Sequence, residues 1–254
     1  MSAAHDFLVI DGATRRFGGL LAVDGVSTHV DRGELVGLIG PNGAGKTTLF
    51  NLISGFTPLS AGTVSFKGQR INRLKPNRIA RLGIGRTFQN LRVFPNMTVF
   101  DNVSVGAFGT HPQSLAGALR PGSRRAEEIS ARVWQALERA ELADVATELA
   151  ANLSYGKRKY LEIARALAMR PDLLILDEPA AGLNDSETRQ LADFIRALHE
   201  GGLTVMLVEH DMGLVMSVCQ RIVVLASGRK IADADPDTVR NDPAVLEAYL
   251  GTDE

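Results

Sequence analysis

The stretch GPNGAGKTT at residues 40–48 decides the fold class of this chain. It matches the pattern G-x-x-x-x-G-K-[ST] through Gly40, Gly45, Lys46 and Thr47. Glycines let backbone amides turn inward around phosphate oxygens, and the start of a helix adds the positive end of its dipole. The lysine would reach the outer phosphates of ATP or GTP, and the threonine hydroxyl would bind Mg²⁺. The predicted nucleotide-binding residues are Asn42, Gly43, Ala44, Gly45, Lys46, Thr47 and Thr48.

The flanking sequence supports this interpretation over a glycine-rich turn without a ligand. An apolar strand pattern, ELVGLIG at 34–40, precedes the loop, and a helical pattern follows from about Lys46. Two more apolar runs, LLILDE at 173–178 and TVMLVEH at 204–210, surround a helical pattern at 185–200. Such runs predict buried parallel strands joined by crossover helices.

Two further regions differ from this parallel core. The segments FLVIDGA, LLAVDGVSTHV and TVSFKGQRI predict antiparallel strands in a small β layer. From about 110 to 150 the glycine- and proline-rich segment HPQSLAGALRPGS precedes RRAEEISARVWQALERAEL. In the latter, Ile129, Val133 and Leu137 recur every four residues, which predicts an amphipathic helix over 125–142. The expected fold class is α/β, a P-loop NTPase parallel-sheet core with an antiparallel β subdomain and a helical insert.

Composition excludes several classes of function. The 254 residues are 45% hydrophobic, and 28 Lys and Arg against 29 Asp and Glu give a net charge of -1. With no block of like charges, we expect no nucleic-acid partner. Cys219 is the only cysteine, which excludes an intrachain disulfide. Because the sequence has neither a leader pattern nor a run of 18 apolar residues, we expect a cytoplasmic location.

Two adjacent carboxylates end the apolar run LLILDEP at 173–179. Alternation along a strand sends Asp177 and Glu178 in different directions. We expect Asp177 to bind Mg²⁺ and Glu178 to act as general base for the attacking water. A solvated strand end is the alternative, which the phosphate-binding pattern elsewhere disfavours.

These motifs, in their order along the chain, resemble those of the ATP-binding cassette (ABC) ATPases. The other matching motifs are TFQN with Gln89, NLSYGK at 152–157, AAGLND, and LVEHD with His210. The resemblance implies a single ABC ATPase domain over residues 1–254, with a helical subdomain at 90–165. It also implies Mg-ATP as the bound nucleotide.

The resemblance implies roles for individual residues. Gln89 would reach Mg²⁺ and the attacking water, and His210 would contact the γ-phosphate and orient the water. Ser154 and Gly156 would bind the γ-phosphate held by a second subunit, in a dimer that encloses ATP. Phe17 lies 29 residues before Lys46, where the family places a ring that stacks on adenine. A buried core position is the alternative for Phe17.

The segment NLSYGK also departs from the usual family pattern. Tyr155 replaces the first of two usual signature glycines, and Lys157 stands where Gln or Glu is common. The roles of these two residues are left open. We expect Lys157, Arg158 and Lys159 to be partly solvated residues in the first turn of a helix, although three cations oppose the dipole there.

Softer features resemble the ATPase subunits of branched-chain amino-acid-type uptake systems. They are RFGGLLAVDGVS, the stretch 110–140, L-S-Y-G, AAGLND and the ending EAYLG. The resemblance implies a second homologous ATPase subunit or a homodimer, two transmembrane permease subunits and, indirectly, a periplasmic solute-binding protein. It places the chain peripherally on the inner face of the cell membrane. A lipid-type ABC exporter ATPase and a soluble non-transport ABC protein are the alternatives.

Overall fold

Three apolar runs of the sequence form the centre of the structure, a computed structural model that describes residues 7–109 and 124–250. They are strands β3 (Leu35–Ile39), β7 (Leu173–Asp177) and β8 (Thr204–Val208), numbered along the chain, and every residue in them is buried. Continuous apolar runs suit parallel strands that are covered on both faces. The predicted α/β class is therefore confirmed.

The larger sheet has six strands in the order β10-β9-β3-β8-β7-β6. Its outer strands are β6 (Ile84–Arg86), β9 (Arg221–Ala226) and β10 (Arg229–Ala234). Five strands are parallel, and only the edge strand β10 runs antiparallel to its neighbour β9. This antiparallel edge was not predicted from the sequence.

The predicted β layer forms a second, antiparallel sheet in the order β2-β1-β4-β5. Its strands are β1 (Leu8–Phe17), β2 (Leu20–Val30), β4 (Ala61–Phe66) and β5 (Gln69–Arg70). The segment TVSFKGQRI contributes two strands rather than one, because Lys67 and Gly68 turn the chain with positive φ angles.

The core lies on both faces of the parallel sheet, as strand alternation requires. In β3, Val36 and Leu38 belong to a cluster with the β layer and helix α1 (Lys46–Ile53), whereas Leu35 and Ile39 belong to a cluster with the remaining helices. Those helices are α3 (Val99–Gly109), α4 (Arg124–Arg139), α5 (Tyr155–Leu167), α6 (Asp185–Glu200), α7 (Met212–Val218), α8 (Pro236–Arg240) and α9 (Pro243–Leu250). A further short helix, α2 (Pro76–Leu82), precedes them in the chain.

Helices α3, α4 and α5 form the insert. Helices α3 and α5 approach closely, because a Cβ at Gly106 would overlap the carbonyl oxygen of Arg165. The stripe of Ile129, Val133 and Leu137 on α4 is buried. No helix in the described ranges has the length and apolar character needed to cross a bilayer.

The end of α4 corrects the predicted helix over 125–142. The helix stops at Arg139, and Glu141 takes a left-handed φ of 54° as the chain turns toward the next segment. A non-glycine residue in this region cannot continue an α-helix. The preceding segment HPQSLAGALRPGS lies outside the described residues. Helix α4 begins directly after it, at Arg124.

Candidate nucleotide site

The phosphate loop (residues 40–48) joins β3 to α1 through three glycines with positive φ angles, Gly40, Gly43 and Gly45. A Cβ at Gly40 would overlap the carbonyl oxygen of Leu225, and one at Gly45 would overlap that of Ala22. A Cβ at Gly43 would meet no atom within 4 Å. Two glycines therefore allow the loop to pack against neighbouring strands, and the third keeps the loop backbone open to a ligand.

The N-terminus of α1 has the properties of an anion site. No side chain caps this helix, and its first turn contains no acidic residue. Lys46 is 7% exposed and donates to the carbonyl oxygens of Gly40 (2.6 Å) and Pro41 (3.1 Å). Burial lowers the pKa of Lys46, while the negative charges of Glu178 and Asp177 raise it. A helix start leaves several amides without acceptors inside the helix. These amides and the ammonium of Lys46 suit a phosphate group.

Two adjoining cavities surround the phosphate loop. The first, the nucleotide cavity, has a volume of about 680 Å³, within the usual range for ligand sites. The second has a volume of about 720 Å³ and includes His210. Both are lined by Asn42, Gln89 and Glu178. The structure thus brings most of the predicted site together. The first cavity is lined by Phe17, Leu20, Leu21, Ala22, residues 42–48, Gln89, Glu178, Ser227 and Gly228.

Glu178 lies at the centre of the predicted catalytic group. It begins a turn at residues 178–181, the Glu178 turn, where it has a left-handed φ of 50°. The amide nitrogen Nε2 of Gln89 donates to Oε2 of Glu178 at 2.7 Å, and Nδ1 of His210 lies 3.9 Å from the same oxygen. The Glu178 side chain is 16% exposed, so it remains accessible from the cavity. Glu178 follows Asp177, the last residue of β7, so its backbone conformation is that of the turn and not of the strand.

Asp177 has a protein partner that the sequence interpretation missed. Its Oδ2 accepts a hydrogen bond from Nη2 of Arg86 at 2.9 Å, and the two side chains are 3% and 7% exposed. Nη1 of Arg86 also donates to Asn51 (2.8 Å) and Ser54 (2.7 Å) at the end of α1. Arg86 therefore ties the carboxylate of Asp177 to the helix that follows the phosphate loop.

The surrounding oxygen atoms suit Mg²⁺ brought in with a nucleotide. The Thr47 hydroxyl and the Gln89 side chain belong to residues that line the nucleotide cavity. Asp177 is 3% exposed and is not in the lining of either cavity; Arg86 contacts its Oδ2, which leaves Oδ1 as the oxygen that could bind Mg²⁺. Mg²⁺ prefers oxygen ligands and is commonly held by few protein groups plus substrate phosphates. The described residues contain no group of three or more His, Cys, Asp or Glu that could hold a metal.

Phe17 is not a core residue. The residue is 44% exposed and lines the nucleotide cavity. The guanidinium of Arg15 lies 4.4 Å from the ring centroid, which is within cation–π range. A ring in this place has a face that a base can stack on.

Comparison with known proteins identifies the family. The model of the ABC transporter family matches residues 23–181, more than half of the chain. This chain is an ATPase of the ABC transporter family. A second family model, described as branched-chain amino acid ATP-binding cassette transporter, matches residues 229–254.

Relatives of this ABC ATPase extend over nearly its whole length. The high-affinity branched-chain amino acid transport ATP-binding protein BraF of Pseudomonas aeruginosa is 45% identical over 252 residues, covering 98% of this chain and 99% of the relative. The protein of the same description named LivG, from Escherichia coli, is 44% identical over 254 residues, with the same coverage. A crystal structure of an ABC transporter cassette in its ADP conformation has a TM-score of 0.85 and 31% identity, covering 96% and 98% of the two chains.

The signature segment (residues 152–157) lies at the start of α5 in this ABC ATPase. Ser154 is exposed, and its hydroxyl caps the helix by accepting from the Lys157 amide at 3.2 Å. Gly156 is buried, and a Cβ there would lie 3.0 Å from Oε1 of Glu187. In the described part of the chain, neither Ser154 nor Gly156 lines the two cavities around the phosphate loop.

The expectation that three cations of α5 are partly solvated is wrong for one of them. Lys157 is exposed and Arg158 is half-buried, but Lys159 is only 3% exposed. Its ammonium lies 3.4 Å from the carbonyl oxygen of Glu178. The error arose because the sequence reveals where a lysine lies on a helix but not which loop packs over that face.

Other residues near the site were also missed. Glu209 is 1% exposed, and its Oε1 accepts from the Ala180 amide at 2.7 Å. Tyr249 lines the second cavity beside His210. Both had a sequence signal: a carboxylate precedes His210 in LVEHD, and Tyr249 belongs to EAYLG, which we used only as a subfamily feature.

Proposed function

We propose that this ABC ATPase energises import of branched-chain amino acids or a related small solute through separate membrane subunits. The names of its close relatives, which are branched-chain amino acid transport ATP-binding proteins, support this role. The match of residues 229–254 to a branched-chain amino acid cassette model supports it independently of the phosphate loop. ATP and Mg²⁺ are the proposed cofactors.

The arrangement of Glu178, Gln89 and His210 carries the chemical part of the proposal. The carboxylate of Glu178 faces the cavity beside the phosphate loop, where it can accept a proton from water attacking the γ-phosphate. Gln89 donates to Oε2 of that carboxylate at 2.7 Å, and Nδ1 of His210 lies 3.9 Å from the same oxygen, so both are close enough to orient the water. Mg²⁺ would neutralise phosphate charge when bound. Positioning and charge stabilisation supply most of the catalysis in such phosphoryl transfers.

The exposed start of α5 supports a dimer as the working form. Ser154 and Gly156 lie away from the nucleotide cavity of their own chain, so we assign them to the ATP of a second subunit. That subunit is a homologous ATPase or a second copy of this chain. A dimeric ABC cassette in a post-hydrolysis state, with ADP and Pi, is 26% identical and has a TM-score of 0.75.

The remaining partners follow from the import role. We assign the helical subdomain, residues 90–165, to contact with two transmembrane permease subunits. The chain would lie peripherally on the inner face of the cell membrane and would serve a periplasmic solute-binding protein indirectly. Nucleic acid has no part in this proposal.

Solute uptake in cells tests the proposal. A strain lacking this chain should take up less radiolabelled leucine, and the wild-type chain should restore uptake. Glu178→Gln should not restore it, whereas Glu200→Gln should, because Glu200 is exposed at the end of α6. Normal leucine uptake in the deletion strain would contradict the amino-acid assignment. Normal uptake of urea and short amides as well would contradict import of small solutes.

A further inference from the structure

The backbone of the Glu178 turn is held by hydrogen bonds to several other parts of the chain. The Glu178 amide donates to the carbonyl oxygen of Val208 at 2.9 Å, and the Ala180 amide donates to Glu209 at 2.7 Å. The carbonyl oxygen of Glu178 accepts from the Ala181 amide at 3.2 Å. Because a non-glycine residue rarely adopts a left-handed conformation, surrounding contacts are needed to keep Glu178 in it.

Helix α5 supplies two more of these contacts. The Tyr155 hydroxyl donates to the carbonyl oxygen of Ala181 at 3.2 Å, and its ring covers Gly182, where a Cβ would lie 3.0 Å from the ring. The Lys159 ammonium donates to the carbonyl oxygen of Glu178 at 3.4 Å. Side chains four residues apart lie on one helix face, so Tyr155 and Lys159 contact the turn together. The ammonium also lies 5.7 Å from the centroid of the Tyr155 ring.

The burial of Lys159 needs a physical reason. A buried ammonium loses its hydration, and apolar side chains of similar size often replace buried charges without loss of stability. One turn along α5, the carboxylate of Glu162 is close enough to interact with Lys159, but it also pairs with Arg165 at 3.8 Å and accepts from the Phe88 amide at 3.3 Å. The fold alone therefore gives little reason for a lysine here, whereas its contact with Glu178 gives one.

We propose that Lys159 is a positioning residue that holds the Glu178 turn so that the carboxylate points into the nucleotide cavity. It acts through the Glu178 carbonyl oxygen, with Tyr155 holding the other end of the turn at Ala181. A second step rests on the proposed function: because Ser154 begins the same helix, movement of α5 against a partner's nucleotide would shift the base of this chain. Lys159 would thereby link the two ATP sites of a dimer.

The first test is a kinetic comparison of Lys159→Met, Lys159→Arg and Lys75→Met. Lys159→Met should lower the kcat for ATP hydrolysis about tenfold, because loss of a positioning contact misaligns the base. Its KM for ATP and its melting temperature should stay at wild-type values. Lys159→Arg should recover most of the lost kcat, because it keeps a donor. Lys75→Met removes a lysine from an exposed position before α2 and should leave all three quantities unchanged.

A second measurement needs no hydrolysis. In the nucleotide-free chain, hydrogen–deuterium exchange of the peptide containing Ala180 and Ala181 should be faster in Lys159→Met by about threefold or more, because the turn opens more often. Lys75→Met should exchange like wild type. Tyr155→Phe, which removes only the hydroxyl, should show a smaller increase.

The outcomes separate this inference from the proposed function. Wild-type kcat in Lys159→Met together with wild-type exchange would overturn the positioning role. A lower kcat accompanied by a lower melting temperature, with no recovery in Lys159→Arg, would also overturn it and leave a structural role. If the wild-type chain neither binds nor hydrolyses ATP, the proposed function fails, while the exchange experiment still decides whether Lys159 holds the turn.

Discussion

Helices α1 and α5 both begin without an acidic residue in their first turn, but α1 begins in the nucleotide cavity, whose lining includes no residue of the signature segment at the start of α5. The start of α1 has no side-chain cap, and its lysine, Lys46, is buried and donates to carbonyl oxygens of the loop. The start of α5 is capped by the hydroxyl of Ser154, which is exposed.

We propose that the two helix starts are two kinds of phosphate site. The start of α1 lies in a site with walls from the same chain, including Phe17 and Glu178. The start of α5 is exposed at Ser154, while Tyr155 and Lys159 of the same helix contact the Glu178 turn. In our account, α1 binds nucleotide within the chain and α5 binds it only across a dimer interface. Each variant below tests one side of that contrast.

Glu178→Gln should have the largest effect. The amide keeps the shape of the carboxylate but cannot accept a proton, so turnover should fall about 10²- to 10⁴-fold while ATP binding persists. ATP-bound dimers should then accumulate, which engages both helix starts at once. Phosphate release and size-exclusion profiles with ATP measure the two effects, and Glu200→Gln is the matched control. Phosphate release near the wild-type rate would exclude Glu178 as the base.

Lys46→Ala tests the site at α1. Loss of a charge-assisted hydrogen bond of about 1.5–3 kcal/mol should weaken ATP binding to the monomer by about 10- to 150-fold. Lys75→Ala, which removes an exposed lysine, should bind ATP normally. Calorimetric titration of the monomers measures both constants. Unchanged affinity in Lys46→Ala would mean that the phosphate loop does not bind nucleotide in this chain.

Phe17→Ala should have a smaller effect on the same site. Base stacking on an aromatic ring is worth about 1–3 kcal/mol, and for a ring as exposed as Phe17 we expect the lower end, a loss of about five- to tenfold in ATP affinity. Binding of inorganic triphosphate should hardly change, and specificity for adenine should be loose. Phe94→Ala changes an equally exposed ring that does not line the nucleotide cavity, as a control. Equal losses for ATP and triphosphate would contradict stacking.

The conformation of the phosphate loop could be predicted from the sequence because it depends on consecutive residues. A few consecutive residues set the glycine conformations, the helix start and the position of Lys46. Strands β3, β7 and β8 were equally readable, since continuous apolar runs indicate burial on both faces. These features depend on short-range pattern alone.

The contacts that hold the side chain of Asp177 and the backbone of Glu178 could not be predicted in the same way. Arg86 meets Asp177 across 91 positions, and Lys159 meets Glu178 across 19, through packing between separate elements. No spacing rule links such pairs, so Lys159 was expected to be partly solvated. The end of α4 was missed for a different reason: the residues after Arg139 are compatible with a helix, but the helix ends in a local cap, in which the amide of Leu142 donates to the carbonyl oxygen of Leu137 at 2.9 Å and Glu141 takes a left-handed φ.

The most direct test of the contrast is ATP titration of Ser154→Arg beside Lys46→Ala. The monomer of Ser154→Arg should bind ATP as wild type does, but this variant should not hydrolyse ATP. When Ser154→Arg is combined with Glu178→Gln, the chain should not dimerise with ATP. Ser154→Ala controls for the lost cap, which is worth about 1 kcal/mol of stability. If Ser154→Arg weakens monomer binding as much as Lys46→Ala does, the start of α5 serves its own chain and the account is contradicted.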